Sequence, residues 1–386
     1  MVITRGYKTE LSATKHQVAS LERHVHAARY IYNWALATRQ RAYQECDKNL
    51  NRFALNLLLT QLKQQPDHQW LYEVSNSALQ GAIIHLQAAF ENFFRRLKEG
   101  SSSPGYPKFH SRNRDRQSFS LYGPTIKVLD DRHVKLPTLG IVQTKERGYI
   151  PQGKRILAAH ISRLAGRWYL SIQIEEEIPD PIPPTGEPIG LHMGIRRRAT
   201  TSDGTVYAPA RPLEASLSRL RHLQRERSRR QLDSKRGQKT AARIERLHAR
   251  IALRREWQHH QASRALVTSG TAQITVESYG IRELMQEDSH RQARSLADTA
   301  MGELRRQVKY KAQWSGVRVV ETPKVYPSMR RCSRCGAIKD HKVRTRRYRC
   351  DKCGAMMDAE VNAAENLRQY GGEPQEVSST GKPSGR

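Results

Sequence analysis

The chain is poor in acid, in cysteine, in aromatic rings and in long apolar runs, and each shortage excludes something. Only 37 Asp and Glu stand against 67 Lys and Arg, a formal charge of +30 over 386 residues. Such a field carries no information about fold, but it selects polyanions. No apolar run approaches the ~20 residues that cross a bilayer, and no basic amphipathic helix carries the bulky aromatic face of a membrane-surface binder. The opening MVITRGYKTEL lacks the apolar core of a signal peptide, so a cytoplasmic, nucleoid-associated location is expected and no membrane contact. Five cysteines in so long a chain make no disulfide framework. What is present is 37% hydrophobic residue, enough at this length for about two to four domains. Nucleic acid is the partner these proportions favour.

Periodicity predicts a strand over the first ten residues, then helices over His16–Asp47, Phe53–Leu62 and Ser75–Leu97. Val18, Leu21, Val25, Ala28, Ile31 and Ala35 recur at three- and four-residue steps in the first. Asn51 is placed to cap the second, and Leu79, Ile83, Leu86, Phe90 and Phe93 form the stripe of the third. Cys46 reads as a core residue, and Phe53 and Tyr122 as core residues in preference to base-stacking ones. Glu99–Arg116, with its SSSPGYP, is a boundary. Beyond it the short runs SFSLY, TIKVL, HVKLP, GIVQT, RILAAHISRL and RWYLSIQIEEE predict an antiparallel barrel or curved sheet that includes the N-terminal strand.

Pro179–Pro188 holds five of the 17 prolines and reads as a hinge. After it, Pro188–Ala210 reads as a two-stranded hairpin turning at Ser202-Asp203-Gly204. Residues 213–262 read as a helical hairpin broken near Asp233–Gly237, AQITVES as a buried strand, Ser295–Trp314 as one helix and VRVVET as a strand. That alternation means an α/β domain. Residues 211–260 carry 15 Lys and Arg against five Asp and Glu, a bias that favours phosphate contact over a solvated coiled-coil face. Residues 371–386 are disordered by composition.

The strongest local signal is Cys332-x-x-Cys335 and, after 14 intervening residues, Cys350-x-x-Cys353. Two thiolates on each of two knuckles close a tetrahedron around structural Zn2+ with no open position for water. Gly336 and Gly354 follow the second cysteine of each pair, as a zinc knuckle prefers.

Several segments then occur in a telling order. They are YKTELSATKHQVASLERHVHAARYIYNWAL, ALQGAIIHLQAAFENFF, GYPKFHSR, PIGLHMGI, LADTAMGELRRQVKYKAQW, YPSMRRCSRCG and DAEVNAAENL. Together they resemble the TnpB (OrfB) proteins of insertion sequences, compact RNA-guided nucleases related to type V CRISPR effectors, over essentially residues 1–370. The resemblance implies a multidomain α+β fold. Its parts are a wedge β-barrel from 1–10 plus 115–180, a helical recognition lobe with its linker over 11–114, a RuvC-type ribonuclease-H-like α/β domain from 185–325 plus 356–370, and an inserted zinc ribbon at 326–355.

A RuvC site needs three carboxylates to hold two Mg2+ ions. In the family the first is an Asp in a strand of pattern I-G-[IV]-D-[LM]-G; here the strand reads Ile189-Gly190-Leu191-His192-Met193-Gly194. Glu277, ending ITVES, fills the second position. Glu360, in Asp358-Ala359-Glu360-Val361-Asn362-Ala363-Ala364, stands where the third Asp is expected. Glu for Asp moves the carboxylate outward by about 1.5 Å where a site tolerates ~0.5 Å. An imidazole at the first position is worse, because it cannot bridge two hard cations. Glu187 precedes the strand and Asp203 sits at the far turn; only Asp358 is near enough to stand in for Glu360. The expectation is a degenerate triad, no functional Mg2+ site and no enzyme activity, as in TldR proteins, nuclease-dead TnpB derivatives that bind DNA through a guide RNA and repress transcription.

The partners so implied are a guide RNA and double-stranded target DNA, bound by a monomer. Asn76, Ser77 and Gln80 on the third helix are the candidate readers of a short DNA motif. Arg225, Arg229, Arg230, Lys235, Arg236, Lys309 and Lys311 are candidates for the nucleic-acid backbone. An active endonuclease of the TnpB type and a transposon accessory protein without a programmable guide are the competing readings.

Overall fold

The computed structural model describes residues 1–101, 103–112, 115–209, 211–231, 233–278, 290–324, 326–341, 343 and 345–372. The chain divides into two compact units at the start of the proline-rich segment, Met1–Ile178 and Pro179–Arg386.

In the first unit, Thr14 and Gln17 form a reciprocal capping box that opens α1 (Lys15–Cys46). The helix buries Leu21, Val25, Ala28, Ile31 and Ala35. It stops at Asp47, which adopts a left-handed conformation, φ 50°. Cys46 is therefore the last helical residue and exposed, not a core filler. Asn51 caps α2 (Arg52–Gln64) through the Ala54 amide at 3.0 Å. That helix buries Leu55, Leu59 and Leu62. Phe53 is on the other side, 71% exposed with the Arg52 guanidinium over its ring, so the core reading of Phe53 is wrong. A 3-10 turn at Pro66–Glu73 leads to α3 (Asn76–Lys98). Phe93 lies at the margin of its stripe and is half-buried.

The strands are β1 (Val2–Ser12), β2 (Ser118–Tyr122), β3 (Lys127–Val128), β4 (His133–Leu136), β5 (Gly140–Thr144), β6 (Arg155–Leu164) and β7 (Arg167–Glu177), in the order β2-β6-β7-β1-β5-β4-β3. β1 serves two partners, pairing with β7 along Val2–Glu10 and with β5 at Leu11 and Ser12. The expected closed barrel is instead an open sheet: among the described residues β2 and β3 do not pair. β3 offers only two residues, and Pro124 in the short connection removes a backbone donor. Helix α3 approaches β2 so closely at Gly81 that a Cβ there would lie 2.7 Å from the Ser120 carbonyl oxygen.

In the second unit, β8 (Ile189–His192), β9 (Ala199–Thr201), β10 (Val206–Tyr207), β11 (Gln273–Val276) and β12 (Arg318–Glu321) form a mixed sheet, order β10-β9-β8-β11-β12. β8, β11 and β12 are parallel, and every residue of β8 and β11 is buried, as strands covered on both faces require. The expected hairpin over 188–210 contains three strands, because the Gly194–Arg198 turn separates β8 from β9 and only Ser202–Gly204 makes the tight turn. Helices α4 (Leu217–Ser228) and α5 (Lys235–Val267) form a hairpin around Leu220, Leu223, Leu247 and Ile251. The single helix expected over Ser295–Trp314 is two, α6 (His290–Thr299) and α7 (Met301–Trp314), split where Ala300 takes φ 45°. A cysteine-bearing hairpin, β13 (Arg347–Arg349) and β14 (Met356–Asp358), runs directly into α8 (Ala359–Gly372). Gly371 and Gly372, assigned to the tail, complete that helix, and 373–386 lie outside the described residues.

Helix α8 packs backbone to backbone on β8. A Cβ at Gly190 would overlap the Ala364 carbonyl oxygen and come within 2.5 Å of the Arg368 amide nitrogen. Neither neighbour is a side chain that can swing away. Gly190→Ala is expected to lower stability by about 3 kcal/mol, read as a fall in the denaturant midpoint; an unchanged midpoint would show that the helix can lift off the sheet without cost.

Candidate functional site

Three elements bring His192, Glu277 and Glu360 together. Val276 of β11 pairs with Leu191 of β8, so Glu277 and His192 leave the sheet side by side at the strand ends. His192 Nδ1 and Glu277 Oε2 are 2.9 Å apart, with both side chains about nine-tenths buried or more, at 7% and 5% exposure. The other Glu277 oxygen accepts the Ser328 hydroxyl, and Arg305 donates to the Glu277 backbone carbonyl at 3.2 Å. Burial alone would push the His192 imidazole down. The Glu277 carboxylate, helped by Glu360 and Asp358, more than offsets it and holds His192 above its ordinary value.

Glu360 lies in the first turn of α8 and accepts the Thr200 hydroxyl at 3.1 Å. Its Oε1 and His192 Nε2 are each 3.7 Å from the point where a Cβ on Gly194 would sit. Asp358 is committed elsewhere. Its Oδ1 caps α8 by accepting the Glu360 and Val361 amides at 3.0 and 3.2 Å. Both its oxygens also take the Arg197 fork, Nη1 at 3.0 Å and Nη2 at 2.8 Å, while Arg197 Nε faces Glu360 Oε2 at 3.4 Å. Burial would raise the Asp358 carboxyl, but the Arg197 bonds and the two amides hold it below its usual range.

Sequence reasoning missed Arg197. It stands in Arg196-Arg197-Arg198, in a chain where arginine runs are common, and no periodicity marks the middle residue as the one that meets the acids. Asp203, the other acid considered, binds its own turn, accepting the Thr205 amide at 2.9 Å.

The four cysteines converge as their spacing predicts. All four sulfurs lie within 4.8 Å of one another, with Cys332–Cys353 at 3.7 Å and Cys335–Cys350 at 3.6 Å. Sulfurs on a tetrahedron of ~2.3 Å Zn–S bonds stand about 3.8 Å apart. The two knuckles are alike: Gly336 and Gly354 (φ 73° and 70°) donate back to the Cys332 and Cys350 carbonyls at 2.9 and 3.1 Å. The set fits structural zinc.

In the first unit, Asn76 and Gln80 are exposed one turn apart on α3, Asn76 accepting from Lys63 at 3.3 Å. Ser77 differs, because its hydroxyl donates to the Tyr122 carbonyl at 2.9 Å and accepts the Tyr122 amide at 2.6 Å, pinning α3 to β2. Tyr122 is half-buried. In the second unit, Arg225, Arg229, Lys235 and Arg236 are exposed around the α4–α5 turn. Arg230 donates across that turn to the Arg236 carbonyl and the Thr240 hydroxyl at 2.8 and 2.7 Å. Lys309 pairs with Glu321 at 3.1 Å. Lys311 bonds the Ser263 hydroxyl and His260 carbonyl of α5, and burial brings it down to about 8.

Comparison with known proteins gives three family matches. A model of the IS605 OrfB kind described as a probable transposase covers residues 171–286, a helix-turn-helix domain of the same kind covers 1–48, and one described as a Cas12f1-like TNB domain covers 302–367. A relative from Streptomyces pristinaespiralis, provisionally named an RNA-guided DNA endonuclease, is 30% identical over 370 residues, 96% of this chain and 90% of its own. Another, from Escherichia coli K12 and provisionally named the RNA-guided DNA endonuclease InsQ, is 28% identical over 383 residues, 95% and 92% of the two chains. Among solved structures, the mini-RNA-guided endonuclease CRISPR-Cas phi3 superposes with a TM-score of 0.42 at 8% identity, over 97% of this chain and 93% of that one.

Proposed function

Because the chain belongs to the TnpB family, the OrfB proteins of IS605-type insertion sequences, we propose that it is an RNA-guided DNA-binding protein of the nuclease-dead, TldR-like kind, which opens a matched duplex and holds it uncut. The observation that carries this reading is the composition of the pocket at the ends of β8 and β11. An imidazole is bonded to Glu277 at 2.9 Å where the family pattern has an aspartate. Mg2+ requires oxygen ligands in a near-octahedral array, and a two-metal cut requires an acid that bridges both ions. His192 supplies no oxygen, and the oxygens of Asp358 are already taken by a guanidinium and a helix cap. The donor set does not fit the ions.

In this reading the first unit acts as the wedge and recognition lobe, and the second as a RuvC-type, ribonuclease-H-like domain with its zinc ribbon. Watson–Crick pairing with the guide reads the target, while the protein grips A-form shape and phosphates. Exchanging a DNA duplex for an RNA–DNA heteroduplex is close to energetically neutral, so cationic contacts such as Arg225, Arg229, Lys235 and Arg236 tip the balance. Gln80 and Asn76, exposed together on α3, are the groups that would read a duplex motif beside the target; a bidentate Gln–adenine contact is worth ~1–3 kcal/mol. An uncut R-loop across a promoter then excludes RNA polymerase by occupancy.

The test is to sequence the RNA that co-purifies with the chain, replace its variable end, and map the bound DNA. Binding should move to the site matching the new end. Binding that stays put or ignores the change would leave a nucleic-acid-binding protein without a programmable guide.

A further inference from the structure

We infer that Arg197 is the resident cation of the pocket: its guanidinium stands in for a divalent metal, neutralises Asp358 and Glu360, and keeps such a metal out even when the missing aspartates are restored. The inference rests on the reading of the pocket as a former metal site and says what replaced the metal. The Arg197 side chain is 16% exposed and faces two carboxylates that are 27% and 14% exposed. It meets Asp358 through both terminal nitrogens, at 3.0 and 2.8 Å, and Glu360 through Nε at 3.4 Å.

A bidentate fork in a half-dry setting is unlike an exposed surface pair, whose worth is close to nothing. The position is also structurally fixed. Arg197 sits in the turn between β8 and β9, and its carbonyl oxygen packs 3.4 Å from where a Gly194 Cβ would be. Glu277, Asp358 and Glu360 bring three negative charges to one pocket, and His192 and Arg197 answer them. A metal entering this space would have to displace a covalently tethered cation that needs no dehydration.

The consequence is that reinstating the family's acids is not enough. The test compares Mn2+ binding, followed by the EPR signal of free Mn2+, in three zinc-loaded, RNA-free full chains: wild type, His192→Asp with Glu360→Asp, and that pair with Arg197→Asn added. The expected result is that adding Arg197→Asn tightens Mn2+ at least about tenfold over the double variant. Equal affinity in the two engineered chains overturns the inference. Because a variant can fail to fold, a second measurement uses the native pocket. The thermal-stability loss from Arg197→Met is expected to shrink when Glu360→Gln is already present, since the two side chains then no longer depend on each other. Strictly additive losses overturn the inference as well. DNA cleavage by the wild-type ribonucleoprotein would instead count against the proposed function, leaving the Mn2+ comparison to be judged by itself.

Discussion

Incubated with magnesium, the purified ribonucleoprotein is expected to leave its guide-matched plasmid supercoiled. The expected rate is lower than that of an active RNA-guided nuclease by about 10^3-fold or more, because the ion that would activate water has lost a bridging oxygen ligand. Two controls give this result its meaning. The same preparation must retard the matched duplex in a binding assay, and Glu277→Gln must leave the residual signal unchanged. Glu277 already has one oxygen engaged by His192 and the other by Ser328, so a metal would have to compete with both for its carboxylate. Nicking that disappears with Glu277→Gln would falsify the proposal outright, since only a working carboxylate cluster produces that dependence.

The second large effect concerns the four cysteines. Stripping zinc, or replacing Cys350 with Ser, is expected to unfold residues 326–355. The core of this module is Cys332, Tyr348, Cys350, Ala355 and Ala359, too few apolar groups to hold a fold without metal. A structural zinc contributes ~10–16 kcal/mol of apparent binding energy in small domains, and here there is nothing to replace it. The damage should spread to α8, since Asn362 and Asn366 both donate to the Arg331 carbonyl at 2.7 Å. Limited proteolysis with and without chelator reads the outcome as new cleavage sites in 326–355. A metal-free chain that resists protease as well as the zinc-loaded one would show that the knuckles stand unaided.

Much of this was legible in the residues. The cap at Asn51 is side-chain chemistry written three residues from the amide it serves, and the structure has it. The paired cysteines work the same way: spacing within each pair is local, and each knuckle closes on itself. The burial of β11 follows from a short apolar run between two helical stretches. What the sequence withheld is information that depends on partners far along the chain. Phe53 and Leu55 look alike in a helical pattern, yet the face that meets α3 is set by the whole lobe. Ala300 has no residue-type reason to adopt φ 45°; the break comes from its surroundings, where Asp298 is held by Arg255 at 2.7 Å and by the Leu213 amide at 3.0 Å. Sheet closure failed because β3 is two residues long, a length that alternation does not measure. Arg197 meets Asp358 across 161 positions, a separation at which no local pattern survives.

Asp358 belongs at once to the end of β14, to the opening of α8 and to the arginine fork. A residue with three simultaneous obligations works as a ratchet. Reclaiming its carboxylate for a metal would uncap a helix that lies against the central sheet, so under the proposed function that route to cleavage costs stability. Substitutions at His192, Arg197 and Glu360 that leave Asp358 at its cap avoid that loss.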